Sequence, residues 1–336
     1  MKRGGLVAAL AVVGVVLLAA AAEIVEVTDQ TGAVVRIEGP IDRIASVYGA
    51  GTFYLYALGA QERIVAGWYL GVKGIAQASA AMHRLEPRLA EMLLFGDPNA
   101  EELVSRGAQL VLVDESRHAA FADQMEEIGI PALRFLVETP EALIEALRLT
   151  GRALGPDAVA RAEAFAADYD RVFTAVRADL ADLDEPAHVL FLGTSPTRVA
   201  SGDMYQTHLI EAAGGVSVTE SLGGYWNEVN LEQILRWDPD VILIPPYGPV
   251  QPNDLLGNSD WRAVRAVRDG RVYRMPRLIA AMDTPVPESI LGVVWIACAL
   301  YPDLVSLDLI DEAVRFYEGY YGLSLTEDDL ALLATP

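Results

Sequence analysis

Two fifteen-residue blocks of this chain correspond without a gap: 99–113, Asn-Ala-Glu-Glu-Leu-Val-Ser-Arg-Gly-Ala-Gln-Leu-Val-Leu-Val, and 230–244, Asn-Leu-Glu-Gln-Ile-Leu-Arg-Trp-Asp-Pro-Asp-Val-Ile-Leu-Ile. Each reads as a short capped helix feeding a buried strand. The chain is therefore expected to be two similar lobes with one equivalent surface point on each. Asn99 and Asn230 suit the N-cap, and Glu102 and Gln233, three residues on, are placed to reach back to the cap N–H as in a capping box. That leaves Glu101 and Glu232 pointing outward from the first helical turn, where the helix dipole favours negative charge. An acidic residue at one helix start is ordinary. A matched pair at the same place in two repeats points to a shared role.

Length and composition bound the rest. A chain of 336 residues can bury two cores of ordinary size. With 52% hydrophobic residues and a positive mean hydropathy of +0.27, it has globular rather than disordered composition. Net charge is −22, and −24 without Lys2 and Arg3. No nucleic-acid partner is expected, because the phosphate backbone requires a basic footprint. Lys2 and Arg3, an apolar stretch over 6–19 and Ala20-Ala21-Ala22 before Glu23 have the layout of a secretory signal peptide spanning 1–22. The expected location is thus the periplasm or the outer face of the cytoplasmic membrane. Residues 4–22 are nearly long enough to cross a bilayer, so an uncleaved anchor is the alternative. Anchoring by a lipidated N-terminal cysteine is excluded, since the single cysteine, Cys298, sits in the apolar run 290–300 and reads as a buried, inert thiol.

Along the chain, 25–37 reads as a β-hairpin around Thr28-Asp29-Gln30-Thr31-Gly32. Short apolar strands at 44–47, 64–67, 110–113 and 132–136 alternate with helical segments, the signature of a parallel sheet covered by helices. A helix over 140–154 is broken by Gly155-Pro156. There follows an Ala-rich run, 156–184, with Val159, Ala162, Phe165, Ala166, Tyr169, Val172, Phe173 and Val176 at spacings of three and four. Proline at its first position and a length of roughly 40 Å suit a rod joining two lobes rather than a local crossover. A second α/β series then begins, with strands at 189–192, 241–244 and 272–275, a helix over 206–213 and helical sequence from 288 onward. The division is 1–22 signal peptide, 23–155 N-terminal lobe, 156–184 connecting helix and 185–336 C-terminal lobe.

In this order, Thr28-Asp29-Gln30-Thr31-Gly32, Pro40-Ile-Asp-Arg-Ile44, the two Asn-x-Glu blocks, Ala212-Ala-Gly-Gly215 and Trp261-Arg-Ala-Val-Arg-Ala-Val-Arg-Asp-Gly-Arg-Val-Tyr273 resemble the class III periplasmic substrate-binding proteins of ABC importers, in their iron-siderophore and cobalamin branch. The resemblance covers the whole mature length. It implies an α/β fold of two lobes, each with a mainly parallel sheet flanked by helices, joined by one long helix with the ligand in the cleft between. It also implies that a surface glutamate on each lobe, Glu101 and Glu232 by motif position, docks into an arginine pocket of the ABC permease dimer. A stiff connecting helix implies only a small hinge motion on binding.

Ligands of parallel α/β sheets sit beyond the carboxyl ends of the strands. The candidates in the first lobe are Tyr48, Trp68, Tyr69 and the group Glu115-Ser116-Arg117-His118. In the second they are Ser195, Thr197, Arg198, the stretch Tyr225-Trp226-Asn227, and Pro246-Tyr247, with Arg277 and Asp283 after the last strand. Aromatics bury area at little entropic cost, and Arg pairs carboxylate or catecholate oxygens bidentately. The set therefore suits a large, planar, partly anionic small molecule such as a ferric siderophore or related chelate. A cobalamin or haem ligand differs only in the cleft shape and polarity it needs. A free divalent metal would need imidazole ligands. Of His83, His118, His188 and His208, only the first two are expected near the cleft, and no resident metal or cofactor is expected. No nucleophile elbow, phosphate loop or His-Glu-x-x-His motif is present, so the expectation is a monomeric receptor and not an enzyme.

Overall fold

The computed structural model describes residues 24–72 and 74–334. The signal segment expected over 1–22 lies outside the described residues.

Apolar and polar residues alternate in β1 (Ile24–Thr28) and β2 (Val34–Glu38), which pair antiparallel with Val27, Val35 and Ile37 turned inward. The turn between them is held by Asp29, whose Oδ1 accepts from Thr31 N, Thr31 Oγ1 and Ala33 N. The first lobe then builds β3 (Ile44–Ser46), β4 (Ile64–Gly67), β5 (Leu110–Asp114) and β6 (Ala132–Phe135) into a parallel sheet of order β4-β3-β5-β6. The second lobe repeats the plan. Its strands β7 (His188–Phe191), β9 (Val216–Ser217), β11 (Val241–Ile244) and β12 (Val272–Arg274) form a parallel sheet of order β12-β11-β7-β9. A two-residue ribbon, β8 (Arg198–Val199) with β10 (Asn227–Glu228), stands beside it. The central strands are buried on both faces, which is why they read as continuous apolar runs rather than as alternation.

Between the lobes runs the helix Pro156–Asp179, 24 residues or about 36 Å long. Ala158, Ala162, Phe165, Ala166, Tyr169, Val172 and Val176 form its buried stripe, and the apolar periodicity stops at Val176. The helix accordingly ends before 184. Asp179 turns aside to accept from the N–H and hydroxyl of Ser306. The stripe packs against the apolar helix Ser289–Leu300. Arg161 ties the helix to both sides by donating to Ala57 O and Tyr320 O. One core is therefore continuous across both lobes, while each sheet's outer face carries a smaller core of its own. Burial of this kind between lobes opposes large relative motion.

The repeat folds as two capped helices, Ala100–Ser105 and Leu231–Trp237, each turning into the central strand of its sheet. Asn99 Oδ1 accepts from Glu102 N at 3.1 Å and Asn230 Oδ1 from Gln233 N at 2.9 Å. The reciprocal half of the expected capping box forms in neither copy: neither Glu102 nor Gln233 takes the N–H of its cap residue. The Glu102 carboxylate instead takes Arg106 at 2.7 Å, a charged partner one helical turn away that outcompetes a neutral N–H. Cys298 lies in the Ser289–Leu300 helix but is only half-buried, its thiol 3.7 Å from Leu307 O, so the expectation of full burial is corrected.

A candidate ligand cleft between the lobes

The carboxyl ends of both parallel sheets open onto one cavity of about 880 Å³. Almost every strand contributes the residues that follow it. Val47, Tyr48 and Gly49 come after β3, Trp68 and Tyr69 after β4, Ser116 to His118 after β5, and Leu136 to Glu138 after β6. From the second lobe, Thr194 follows β7, Tyr247 and Gly248 follow β11, and Arg277 follows β12.

Nine of the ten ligand candidates line this cavity: Tyr48, Trp68, Tyr69, Arg117, His118, Tyr225, Trp226, Tyr247 and Arg277. Arg198 does not. Its guanidinium lies 5.8 Å over the Trp226 ring and braces that side chain from behind. Ser116 lines the cavity as expected, whereas Glu115, Ser195, Thr197, Asn227, Pro246 and Asp283 stand outside the lining. Of the histidines, only His118 reaches it; His83 is exposed on the Ala80–Leu85 helix.

The cavity also takes groups that the sequence does not single out. Asp114 and Glu138 bring carboxylates, Phe95 and Leu136 bring exposed apolar surface at the rim, and Met204, Tyr205 and Gln206 come from the start of the helix Tyr205–Ala212. Glu138 and Leu136 carry no motif. Only their position one to three residues past an apolar strand could have found them.

The walls are rigid. Tyr48 stacks on Phe135 at 5.9 Å and meets Tyr54 edge-on, and Trp68 meets His118 edge-on at 5.0 Å. Two glycines make room for the side chains that matter. A Cβ on Gly193 would lie 2.9 Å from the Trp226 ring, and one on Gly71, at φ +80°, would lie 2.8 Å from Arg277 Nη1.

Charge is distributed unevenly. Asp114 caps the helix Glu115–Glu127 through Ser116 N and lies 3.5 Å from Arg117, which is largely solvated. Glu138 accepts from Tyr225 Oη at 2.8 Å, a bond that joins one lobe to the other, and burial raises its pKa. Arg277 also crosses between lobes, donating to the carbonyls of Gly71 at 3.3 Å and Gln77 at 3.4 Å. Burial, with Arg274 nearby, lowers its pKa. His118 is pushed down by burial, so at neutral pH its imidazole is uncharged. Behind Tyr247 lies Asp283, fully buried, which accepts from Tyr247 Oη at 2.7 Å and Gln206 Nε2 at 3.3 Å. Burial raises its pKa to about 6.

Glu101 and Glu232 are exposed, and their position follows from their helices. The first helix ends at Arg106, whose carbonyl accepts from Arg43, just before β3. The second ends beside Asp240, which accepts from His188 N at the start of β7. Both helices thus finish at the amino edge of their sheets, and their N-caps lie toward the carboxyl edge, where the cleft opens. Each glutamate also follows a cleft-lining segment closely: Leu94 to Gly96 precedes Asn99, and Tyr225-Trp226 precedes Asn230.

Two lobes around an aromatic cleft, bridged by one helix, are the architecture of a substrate-binding receptor, and comparison with known proteins agrees. Residues 44–278 match the model of a family described as periplasmic binding protein, and the chain belongs to that family. It is a substrate-binding protein of an ABC importer rather than an enzyme. Its relatives include the molybdate-binding protein MolA of Haemophilus influenzae, 26% identical over 273 residues, covering 74% of this chain and 78% of that one. Another is the Fe(3+)-citrate-binding protein YfmC of Bacillus subtilis, 26% identical over 191 residues, covering 54% of this chain and 58% of that one. Among solved structures, a periplasmic solute-binding protein of Veillonella parvula superposes with a TM-score of 0.79 at 27% identity, covering 93% of this chain and 97% of that one.

Proposed function

We propose that this receptor is exported, captures a metal chelate of siderophore size in the interlobe cleft, and hands it to the permease through Glu101 and Glu232. The observation that carries the reading is the cleft itself. Eight Phe, Tyr and Trp side chains from both lobes surround about 880 Å³, with Arg277, Arg117 and the neutral imidazole of His118 among them. Pockets that bury drug-sized molecules run to about 1,000 Å³, so the space suits a large ligand. Flat aromatic walls bury such a ligand with little loss of side-chain freedom, and Arg and imidazole N–H groups suit the carboxylate, hydroxamate or catecholate oxygens around a metal. A free divalent metal is less well served, because the cleft offers a single imidazole. Cobalamin and haem share the size and aromatic contacts and are kept as the alternative cargo.

Similarity to MolA supports a second reading, an oxyanion cargo. A tetrahedral oxyanion takes the room of a few waters, at about 30 Å³ each, and would fill roughly a tenth of the cavity. The two readings separate in one experiment. Trp68 and Trp226 both face the cavity, so tryptophan fluorescence can be titrated with ferric siderophores, ferric citrate, cyanocobalamin, haem and molybdate. Saturable quenching by one of the large chelates supports the reading, and quenching by molybdate alone overturns it.

A further inference from the structure

The cleft holds two opposite charges that do not pair with each other. Glu138 has hydrogen-bond donors, Tyr225 Oη at 2.8 Å and the backbone N–H of Tyr205, but no cation within ion-pair distance among the described residues. Arg117, whose charge also acts on it, is engaged with Asp114. Arg277 has the carbonyls of Gly71 and Gln77 but no carboxylate partner among the described residues. A partly buried charge without a counter-charge is unfavourable, and both of these face the same cavity.

The sheet topology says how far apart they are. Glu138 follows β6, one edge of the first sheet, while Arg277 reaches across to Gly71, which follows β4, the other edge. The second lobe agrees, since Arg277 follows edge strand β12, and Tyr225, the partner of Glu138, comes after edge strand β9. Three inter-strand steps of about 4.8 Å put the two charges roughly 14 Å apart. Tyr48, after the inner strand β3, and Tyr247, after the inner strand β11, come from the strands between.

Resting on the reading of the cleft as the cargo site, we infer that the cargo is dipolar: it carries an ammonium or comparable cationic group against Glu138 and Tyr225, and an anionic group against Arg277, separated by about the width of the sheet. Glu138 and Arg277 are then the residues that set specificity. A uniformly anionic cargo would leave Glu138 facing like charge.

A long ω-amino acid, aminododecanoate, has an apolar chain between opposite charges at about the required separation and tests the inference without knowledge of the natural cargo. Its affinity is measured by calorimetry against aminohexanoate, dodecanoate and dodecylamine, with the wild-type chain and with Glu138→Gln and Arg277→Gln. The wild type is expected to bind aminododecanoate about tenfold more tightly than any of the other three. Glu138→Gln should reduce its affinity to that of dodecanoate, and Arg277→Gln to that of dodecylamine, with Arg277→Lys restoring most of the difference. Equal affinities for the four probes, or variants that leave the ranking intact, overturn the inference. Ferric siderophores and cyanocobalamin are titrated alongside. If they bind while the zwitterion shows no advantage, the dipolar cargo is wrong and the chelate reading stands; if nothing binds, both fall.

Discussion

Glu288 gives the sharpest stability prediction. Its carboxyl is fully buried at the start of the Ser289–Leu300 helix, accepting from Tyr321 Oη at 2.6 Å and from Ala280 N at 3.3 Å. Tyr321 belongs to the C-terminal segment that packs back on Tyr56 of the first lobe, so this site sits at the junction of the lobes. Burial raises its pKa from 4.5 to about 7, a shift that at about 1.4 kcal/mol per unit corresponds to roughly 3 kcal/mol. Because the folded pKa lies above the unfolded one, the folded state holds the proton more tightly. The stabilisation is complete below about pH 4.5 and is lost as pH rises through about 7. Glu288→Gln keeps the shape and stays neutral. The protonated carboxyl and the amide can both donate to Tyr321 Oη while accepting from Ala280 N, so the variant should lack this loss. Urea unfolding at about pH 5 and about pH 8 measures it. Asp283 adds a parallel fall in both proteins, with a folded pKa of about 6, so the informative quantity is the difference between wild type and variant. The variant should gain roughly 2.5 kcal/mol on the wild type between the two pH values, slightly less than the full shift because part of the stabilisation is already lost at about pH 5. Parallel profiles would refute the assignment of a buried, reluctantly ionised carboxyl.

Three further predictions concern the repeat and the cleft. Replacing Glu101 and Glu232 together by Ala should abolish uptake in cells while leaving affinity in solution unchanged; a loss of affinity would place them in the binding site instead. Asn230→Ala removes the cap that accepts from Gln233 N and should cost about 1 kcal/mol in urea unfolding, with no change in the unfolding slope. Tyr225→Phe removes the bond to Glu138 that spans the cleft mouth. At about 1 kcal/mol for one hydrogen bond, stopped-flow should show ligand release accelerated roughly fivefold, and an unchanged rate would mean the bond does not hold the cleft closed.

How much of this was legible in the sequence depended on the range of the interactions involved. The parallel strands of four or five residues were found because burial on both faces leaves unbroken runs such as Val241–Ile244, and the hairpin because its alternation and turn residues are local. The two-residue strands β8, β9 and β10 carry no period and were missed. The stripe reveals the connecting helix, but Leu180, Ala181 and Leu183 still suit a helix, so the sequence alone carries it on to 184. In the structure the buried stripe stops at Val176, and Asp179 beyond it is engaged by Ser306, a tertiary partner that the local sequence does not show. The same distinction holds in the cleft. Tyr48, Trp68 and Tyr247 could be placed because they directly follow strands, and the rule about strand ends needs no contacts. Arg198 obeys the same rule yet lies behind Trp226, since which side of a loop a side chain takes is decided by packing. Glu138 was invisible for the opposite reason: a lone glutamate after a strand looks like any solvated charge until Tyr225 arrives from the other lobe.

Calorimetry on a cleft variant decides whether the interlobe cleft is the cargo site. Trp68→Ala with Trp226→Ala removes one aromatic wall from each lobe, both lining the cavity. The wild type should bind one large metal chelate with a stoichiometry near one, and the double variant, still folded, should bind it at least about a hundredfold more weakly, since each aromatic truncation in a buried contact costs on the order of 2 kcal/mol. Unchanged affinity in the double variant would contradict it.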